Sequence, residues 1–310
     1  MPELIYHHYP VSPFAEKIRM VFGLKGLSWR SVTIPPIMPK PDVVALTGGY
    51  RKTPILQIGA DLYCDTALIA RVLDGLQPEP ALYPASAPLA GPLAQWADST
   101  WFFCAAAWAM QAAGAAHILG DRAGLSPQLM QAFGKDRAAA GFKRTPLAEA
   151  GAQLRQHLHA FDAQLVSGGP WLFGAAVSIA DFSVAHPLWF IRQAAPVADI
   201  LAPYAQVNAW LDRLAALGQG QSQAMDSAQA LAEAAAATSH APTSVESEAG
   251  LAAGDAVTVA ATDYGTDRVA GTLVGLSPSE SVVRRSDPRA GTVHVHFPRA
   301  GFEVKKEVSA

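Results

Sequence analysis

The chain has 310 residues, half of them hydrophobic, and a formal net charge of −3. This length predicts two or three domains, and this charge gives no general attraction for nucleic acids or anionic membranes. The two cysteines, Cys64 and Cys104, are far apart, which indicates neither a disulfide framework nor a zinc cage. The chain begins without a basic segment or an apolar run, so no signal peptide is predicted. Polar residues and a glycine interrupt Thr100–Leu119, where a buried helix is expected and not a membrane span. A reduced, cytoplasmic protein fits these features.

The beginning of the chain carries the alternating strand and helix signals of an α/β domain. Ser12 and Pro13 suit the N-cap and the first position of a helix, and apolar residues then recur at helical spacing. A proline-rich segment at 35–41 follows the second strand and is predicted to be a connection. Asp65 with Thr66 caps another helix, and the predicted strands cover residues 3–9, 28–34, 55–58 and 62–64.

Residues 88–237 carry helix signals and few strand signals. Ser178 and Asp181 have the spacing of a capping box before an apolar run, which indicates the start of a helix. An alanine-rich helix is predicted over 219–237, and the polar residues 238–250 are predicted to be a linker.

The last part of the chain, residues 251–310, changes to short strand signals between Gly, Asp and Pro turns. These signals predict a small, separate antiparallel β-domain, an SH3-like barrel or a sandwich. From Asp255 onward seven basic residues stand against seven acidic ones, so no nucleic-acid partner is predicted. His294 and His296 share one face of a strand. Two ligands without a third do not make a metal site, so no metal is predicted.

Three sequence motifs resemble those of cytosolic glutathione S-transferases that use a serine. The run YHHYPVSPFAEKIR is similar to the family's first strand, loop and helix, and RKTPILQIGADLYCDTALIA to its K-x-P-x-L … E-S-x-x-I segment. The run SIADFS is similar to the capping motif of the family's second domain. The resemblance covers about residues 3–217 and implies a homodimer with a thioredoxin-like domain followed by an all-helical domain. With the linker and the small all-β domain, the predicted boundaries are 1–80, 88–237, 238–250 and 251–310.

The resemblance also implies how the thiol of glutathione is activated. Ser12 would donate a hydrogen bond to the thiolate at the start of a helix, where the helix dipole favours negative charge. Tyr9 is the alternative donor, because other transferases place a tyrosine at the end of the first strand. Phe14, from the same motif, belongs to the implied glutathione site. Ser-Pro is also a common helix start, so a purely capping role of Ser12 stays open.

A second group of residues is implied to bind the rest of glutathione. Pro54 is implied to follow a cis peptide bond, so that the backbone of Thr53 binds the cysteinyl part. Asp65 and Thr66 match the family's Glu-Ser pair and are implied to bind the γ-glutamyl ammonium and carboxylate. The family usually has Val or Ile at the position of Thr53, and Asp65 is one methylene shorter than Glu. The resemblance implies Lys52 for the glycyl carboxylate, with Arg51 as the alternative residue; for both, a solvated surface charge is the other interpretation.

Aromatic residues of the helical region suggest a pocket for a second substrate. Trp101 and Trp108 are seven residues apart, hence on one helix face, and with Phe102 and Phe103 they are predicted to line an apolar pocket; core packing is the alternative. The sequence therefore favours an enzyme that activates glutathione for attack on a small hydrophobic electrophile. The alternatives are a non-catalytic scaffold that uses the C-terminal β-domain for interactions, and a carrier of apolar ligands.

Overall fold

The structure is a computed structural model and describes residues 2–143, 145–246 and 250–307. Ten strands in these residues form one continuous sheet. In chain order they are β1 (Ile5–His8), β2 (Ser28–Thr33), β3 (Ile55–Ile58), β4 (Asp61–Cys64), β5 (Gln221–Ala224), β6 (Ala256–Ala261), β7 (Val269–Leu276), β8 (Glu280–Asp287), β9 (Gly291–Pro298) and β10 (Phe302–Lys306). Across the sheet the order is β10-β6-β7-β8-β9-β4-β3-β1-β2-β5.

The helices of the described residues cover both faces of part of this sheet and form a bundle beside it. In chain order they are α1 (Pro13–Leu24), α2 (Pro41–Thr47), α3 (Thr66–Leu76), α4 (Ala90–Trp96), α5 (Phe102–Ala109), α6 (Ala112–Ala115), α7 (Pro127–Ala139), α8 (Leu147–Gly168), α9 (Ile179–Gln193), α10 (Ala205–Ala215) and α11 (Ser227–Ala236). A π-helical turn, Ala97–Trp101, joins α4 to α5, and a second, Ala116–Arg122, follows α6. A 3₁₀-helix, Ala195–Leu201, follows α9.

The N-terminal strands have the predicted thioredoxin-like arrangement. β1 is parallel to β2 and antiparallel to β3, and β3 forms a hairpin with β4. The apolar residues of α1 and α3 pack on one face of these strands and those of α2 on the other. Helix α2 was not predicted from the sequence; it begins at Pro41, at the end of the proline-rich segment. The fixed φ of proline suits the first position of a helix, so this proline starts a helix where a connection was expected.

The helical region confirms the predicted helix start at Ile179. The carboxylate of Asp181 accepts a hydrogen bond from the backbone N–H of Ser178 at 2.9 Å, as in a capping box. None of the described helices is long and apolar enough to cross a membrane by itself. Ala90–Ala109 and Ala112–Arg122 meet that test only as a pair, and they are bent by 89° at the break between them.

Residues 219–237 differ from the single helix that was predicted. They form β5, which pairs in parallel with β2, and then α11, whose apolar residues pack with those of α2. Gly220 has a φ of +70°, and a Cβ atom there would lie 2.3 Å from the carbonyl oxygen of Leu27. Only glycine fits this close approach, which lets the chain return from the helical bundle to the edge of the N-terminal sheet.

The C-terminal strands are antiparallel to one another, as predicted, but they continue the N-terminal sheet. β9 pairs in parallel with β4, and its apolar residues share one core with those of β1, β2 and β3. The predicted all-β region is therefore present beyond the N-terminal and helical regions, and the pairing of β4 with β9 joins its strands to the N-terminal sheet. Val245, in the segment predicted as a linker, pairs with Leu276. Residues 247–249 of that segment and residues 308–310 lie outside the described residues.

Candidate functional site

A cavity of about 420 Å³ lies where the N-terminal region, the helical bundle and the C-terminal strands meet. Its volume is within the range of about 300–1,000 Å³ that is typical of small-molecule sites. We call it the junction cavity. The cavity is lined by helical-region aromatics and by five of the eight predicted site residues, namely Tyr9, Ser12, Phe14, Lys52 and Thr53.

Ser12 is both a helix cap and part of the cavity wall. Its Oγ accepts a hydrogen bond from the backbone N–H of Ala15 at 3.2 Å, as the N-cap of α1 should. A hydroxyl has one donor and two acceptor positions, so this contact leaves the O–H of Ser12 available to another acceptor. Capping and donation to a thiolate are therefore compatible roles for this residue.

Tyr9 lies beside a cation that the sequence analysis did not identify. Its hydroxyl accepts a hydrogen bond from Nη2 of Arg137 at 3.4 Å. The guanidinium is held in place because Nη2 also donates to the carbonyl of Pro36 at 2.9 Å and Nη1 contacts Asp136 at 2.6 Å. Arg137 belongs to α7, which carries no motif of its own, and only the folded chain brings it to Tyr9.

The segment 51–53 is held by a buried lysine. Nζ of Lys40 donates to the carbonyl of Arg51 and to Oγ1 of Thr53, both at 2.9 Å. Burial, together with the positive charges of Arg137 and Arg51, lowers the pKa of Lys40 to about 7. The neutral amine still has two N–H groups for these two acceptors. The Thr53–Pro54 peptide bond is cis, as the resemblance implied.

The loop between β6 and β7, residues 262–268, contacts both residues that were predicted for the glycyl carboxylate. We call it the pocket loop. Oδ1 of Asp263 lies 2.5 Å from Nζ of Lys52, and Oδ2 of Asp267 lies 2.7 Å from Nε of Arg51. The ammonium of Lys52 is also 4.5 Å from the centre of the Tyr264 ring, within cation–π distance. Both predicted carboxylate-binding cations therefore have acidic partners within this chain.

Tyr264 of the pocket loop lines the junction cavity directly. Its ring packs edge-on against Phe142 at 5.3 Å and against Phe103 at 6.1 Å between ring centres. The next residue, Gly265, donates its N–H to the carbonyl of Ala140 at 2.7 Å and so ties the loop to the end of α7. Burial raises the pKa of Tyr264, so its hydroxyl stays protonated and remains a donor.

Three predicted site residues, Pro54, Asp65 and Thr66, do not line the junction cavity. Asp65 caps α3 and has a φ of 75°, the one positive φ among the described residues other than glycine. Such a conformation costs about 1–3 kcal/mol and is found more often at functional sites. Oγ1 of Thr66 accepts a hydrogen bond from Nζ of Lys17 at 3.2 Å, and this buried ammonium is also 2.5 Å from Asp98.

The predicted aromatic wall is correct for two residues and wrong for two. Phe102 and Phe103 line the cavity, whereas Trp101 and Trp108 do not. The indole N–H of Trp101 donates to the carbonyl of Val184 at 3.1 Å, and that of Trp108 to the carbonyl of Val197 at 2.9 Å. Both tryptophans are thus fixed by packing between helices, the alternative that the sequence had left open.

Comparisons with known proteins match the N-terminal region and part of the helical region of this chain. Residues 7–81 match the model of the glutathione S-transferase N-terminal domain, and residues 144–213 that of the C-terminal domain. The crystal structure of a GST-like protein from Pseudomonas syringae is 44% identical with a TM-score of 0.82, over 99% of this chain and 100% of that chain. That match includes the C-terminal strands.

More distant structures share the fold alone. A glutathione S-transferase from Rhodospirillum rubrum F11 is 20% identical with a TM-score of 0.51, over 68% of this chain and 87% of that chain. The apo form of glutathione S-transferase III is 21% identical with a TM-score of 0.52, over 69% of this chain and 92% of that chain. No curated protein matches the chain.

Proposed function

The chain belongs to the glutathione S-transferase family, and on that premise we propose that it binds glutathione and transfers it to a hydrophobic electrophile. One observation carries the proposal. The residues that the family resemblance implies for the thiol and the cysteinyl backbone, Tyr9, Ser12 and Thr53, meet at one cavity of suitable volume. Glutathione is the co-substrate in this proposal, not a permanently bound cofactor.

The proposed chemistry needs a thiolate and a donor that stabilises it. The thiol of glutathione loses its proton to solvent, and the O–H of Ser12 donates to the sulfur anion. Because Ser12 is the N-cap of α1, the positive end of the helix dipole acts at the same place. Tyr9, oriented by Arg137, is the second candidate donor. The sulfur then attacks an electrophilic carbon, a C–S bond forms, and the leaving group departs with its electron pair.

The second substrate of the proposed reaction is apolar. Phe102, Phe103 and Phe142 line the cavity together with Tyr264, which the C-terminal strands supply. Aromatic walls of this kind bind flat hydrophobic ligands by area and by ring stacking. We propose a small aromatic electrophile, for which 1-chloro-2,4-dinitrobenzene is a convenient probe.

The proposal extends to assembly and location. We propose a homodimer on the ground of family membership alone, and sedimentation of the purified chain tests it. A reducing, cytoplasmic location agrees with Cys64 and Cys104, which are buried and unpaired. Burial also raises the pKa of both thiols, so neither is a reactive thiolate at neutral pH.

The test is a calorimetric titration of glutathione into the wild type, Ser12→Ala and Tyr9→Phe, with the thiolate absorbance followed in parallel. We expect saturable binding and a thiolate signal in the wild type. The variant that lacks the hydroxyl donating to the thiolate should lose the thiolate signal, and its turnover should fall by about 10²–10³-fold. If both variants retain the signal, backbone N–H groups stabilise the thiolate.

Matched controls separate this effect from damage to the fold. Ser167→Ala and Tyr204→Phe remove hydroxyls at the surface of the helical region that contact only backbone carbonyls, and they should leave binding unchanged. Ser12→Ala also removes a helix cap, so a loss of about 1 kcal/mol in unfolding free energy is expected. No glutathione binding by the wild type would refute the proposal.

A non-catalytic binding protein is the second candidate, and one observation favours it. Asp263 and Asp267 already pair with Lys52 and Arg51, the cations that were predicted to bind the glycyl carboxylate. A carrier or scaffold would bind apolar ligands in the junction cavity without turnover. Binding of the electrophile probe without consumption of glutathione would identify it.

A further inference from the structure

A cluster of three histidines and an aspartate lies at the seam between the N-terminal sheet and the C-terminal strands. Asp61 is in β4 and His294 in β9, and the parallel pairing of these strands places the two residues opposite each other. His240 comes from the segment between α11 and β6. Its neighbour Ala241 donates its backbone N–H to Oδ2 of Asp61 at 2.9 Å, which holds that segment at the cluster.

The donor atoms of this cluster converge without bonding to one another. Nδ1 of His240 lies 3.7 Å and Nδ1 of His294 lies 3.8 Å from Oδ1 of Asp61, both too long for a hydrogen bond. One possible ligand atom from each of the three residues lies within 4.8 Å of those of the other two. Both nitrogens are buried and have no hydrogen-bond partner among the described residues. Buried polar atoms without a partner are uncommon and point to a missing ligand.

We propose that Asp61, His240 and His294 bind a zinc ion. Two imidazoles and one carboxylate are a usual zinc donor set, whereas Ca²⁺ and Mg²⁺ prefer oxygen ligands alone. With zinc–ligand bonds of about 2.0–2.1 Å, donor atoms of a tetrahedral site lie about 3.3–3.5 Å apart, so the two histidine–aspartate distances need to contract by a few tenths of an ångström. The fourth position is left for water or another small ligand.

One rearrangement accompanies binding. The rings of His240 and His294 are stacked, with centres 3.7 Å apart and planes at 14°, so both lone pairs cannot point at one ion in this arrangement. His240 is the ring that turns. It belongs to a segment outside any helix or strand, and its side chain is 23% exposed, against 11% for His294.

His296 contacts one of the proposed ligands, Asp61, and is not itself a proposed ligand. Its Nε2 contacts Oδ1 of Asp61 at 2.9 Å and its Nδ1 contacts Glu280 at 2.7 Å. Both nitrogens face carboxylates, so both donate, and this contact orients Asp61 as outer-shell hydrogen bonds commonly orient metal ligands. An ion here would join three distant segments of the chain and fasten the C-terminal strands to β4.

No metal was predicted at His294 and His296, because the sequence shows no third ligand beside them. In the proposed site, His294 is joined by His240 and Asp61, which are 54 and 233 positions away from it. Strand pairing between β4 and β9 supplies what the sequence spacing could not.

The test is calorimetric titration of ZnCl₂ into the untagged full-length chain after removal of metal ions by a chelator. We expect one zinc per chain, and a rise of about 5 °C in the midpoint of thermal unfolding at zinc concentrations about 100-fold above the Kd. His240→Ala should weaken binding at least about tenfold. This variant is expected to fold, because Nδ1 of His240 has no hydrogen bond to lose.

His117→Ala is the matched control, since His117 also lies beside a carboxylate, 3.0 Å from Asp121, but without a second histidine. It should bind zinc as the wild type does. His294→Ala should behave like His240→Ala. The proposal is overturned if the wild type binds no stoichiometric zinc, or if His240→Ala binds it with unchanged affinity.

Discussion

At the scale of single residues, Lys40 shows how the fold supports the candidate site through a group that no motif identifies. It is buried, it bonds to the backbone of Arg51 and the side chain of Thr53, and its pKa falls to about 7. An unfolded lysine has a pKa of about 10.4. Between these two values the unfolded chain holds a proton that the folded chain has released. The free energy of unfolding should therefore rise with pH across this window.

Lys40→Met tests this linkage. The wild type should gain up to about 1.4 kcal/mol of unfolding free energy per pH unit from this group between about pH 7 and 10, and the variant should lack that gain. Urea unfolding at several pH values measures the slope of unfolding free energy against pH for both proteins. The test uses the difference between the two slopes, because other groups also titrate in this pH range. Lys135→Met, at an exposed position of α7, is the control and should keep the wild-type slope. Equal slopes in Lys40→Met and the wild type would contradict a neutral Lys40.

At the scale of elements, the start of α9 depends on more than a helix cap. The carboxylate of Asp181 accepts hydrogen bonds from the backbone N–H and the hydroxyl of Ser178, from the N–H of Leu172 and from the indole of Trp210, all between 2.9 and 3.0 Å. Trp210 belongs to α10, and Leu172 precedes α9. One buried carboxylate thus joins two helices and the segment before them, which the sequence motif alone did not predict.

Asp181→Ala should therefore lower the free energy of unfolding by far more than the roughly 1 kcal/mol that the loss of an ordinary N-cap costs. It leaves several buried donors without an acceptor, and we expect a loss of at least about 3 kcal/mol in unfolding free energy. Asp226→Ala is the matched control, because Asp226 caps α11 in a similar capping box but is exposed. It should lose about 1 kcal/mol. Similar losses in the two variants, measured by urea unfolding, would show that the buried network adds nothing to the cap.

The elements also show what the sequence could predict. The strands β1 to β4 and the helices α1, α3 and α9 were predicted because each has local signals, alternation in the strands and caps at the helices. By contrast, β5 (Gln221–Ala224) is polar and fully exposed and exists only through pairing with β2. Its residues carry no strand signal of their own, so an alanine-rich helix was expected there.

At the scale of the whole molecule, the junction cavity is made by three regions, of which the sequence identified two. The family motifs identified Tyr9, Ser12 and Thr53, because these motifs have particular residue types at particular spacings. Tyr264 of the pocket loop lines the cavity, and Asp263 of the same loop contacts Lys52 in its wall. The pairing of β9 with β4 attaches the C-terminal strands, and with them this loop, to the N-terminal sheet. Contacts between residues some 200 positions apart leave no local pattern, so no sequence motif marks these residues.

In this arrangement, a carboxylate of the pocket loop and the glycyl carboxylate of glutathione would compete for the same lysine. Asp263 presents a carboxylate to Lys52, which the family resemblance assigns to the glycyl carboxylate of glutathione. Asp263→Asn removes that charge and keeps the shape of the side chain. We expect the Kd for glutathione to fall about two- to fivefold, because a half-exposed ion pair contributes less than about 1 kcal/mol. Calorimetry at low ionic strength measures it, and added salt should reduce the difference between variant and wild type.

Glu303→Gln is the control, since Glu303 pairs with Arg268 and Lys305 on the C-terminal strands and not with a residue of the cavity. Its affinity for glutathione should equal that of the wild type. If Asp263→Asn binds glutathione more weakly than the wild type, Asp263 does not compete with the ligand but holds Lys52 in position for it. In that case the C-terminal strands complete the glutathione site, and the carboxylate of glutathione joins the ion pair instead of replacing it.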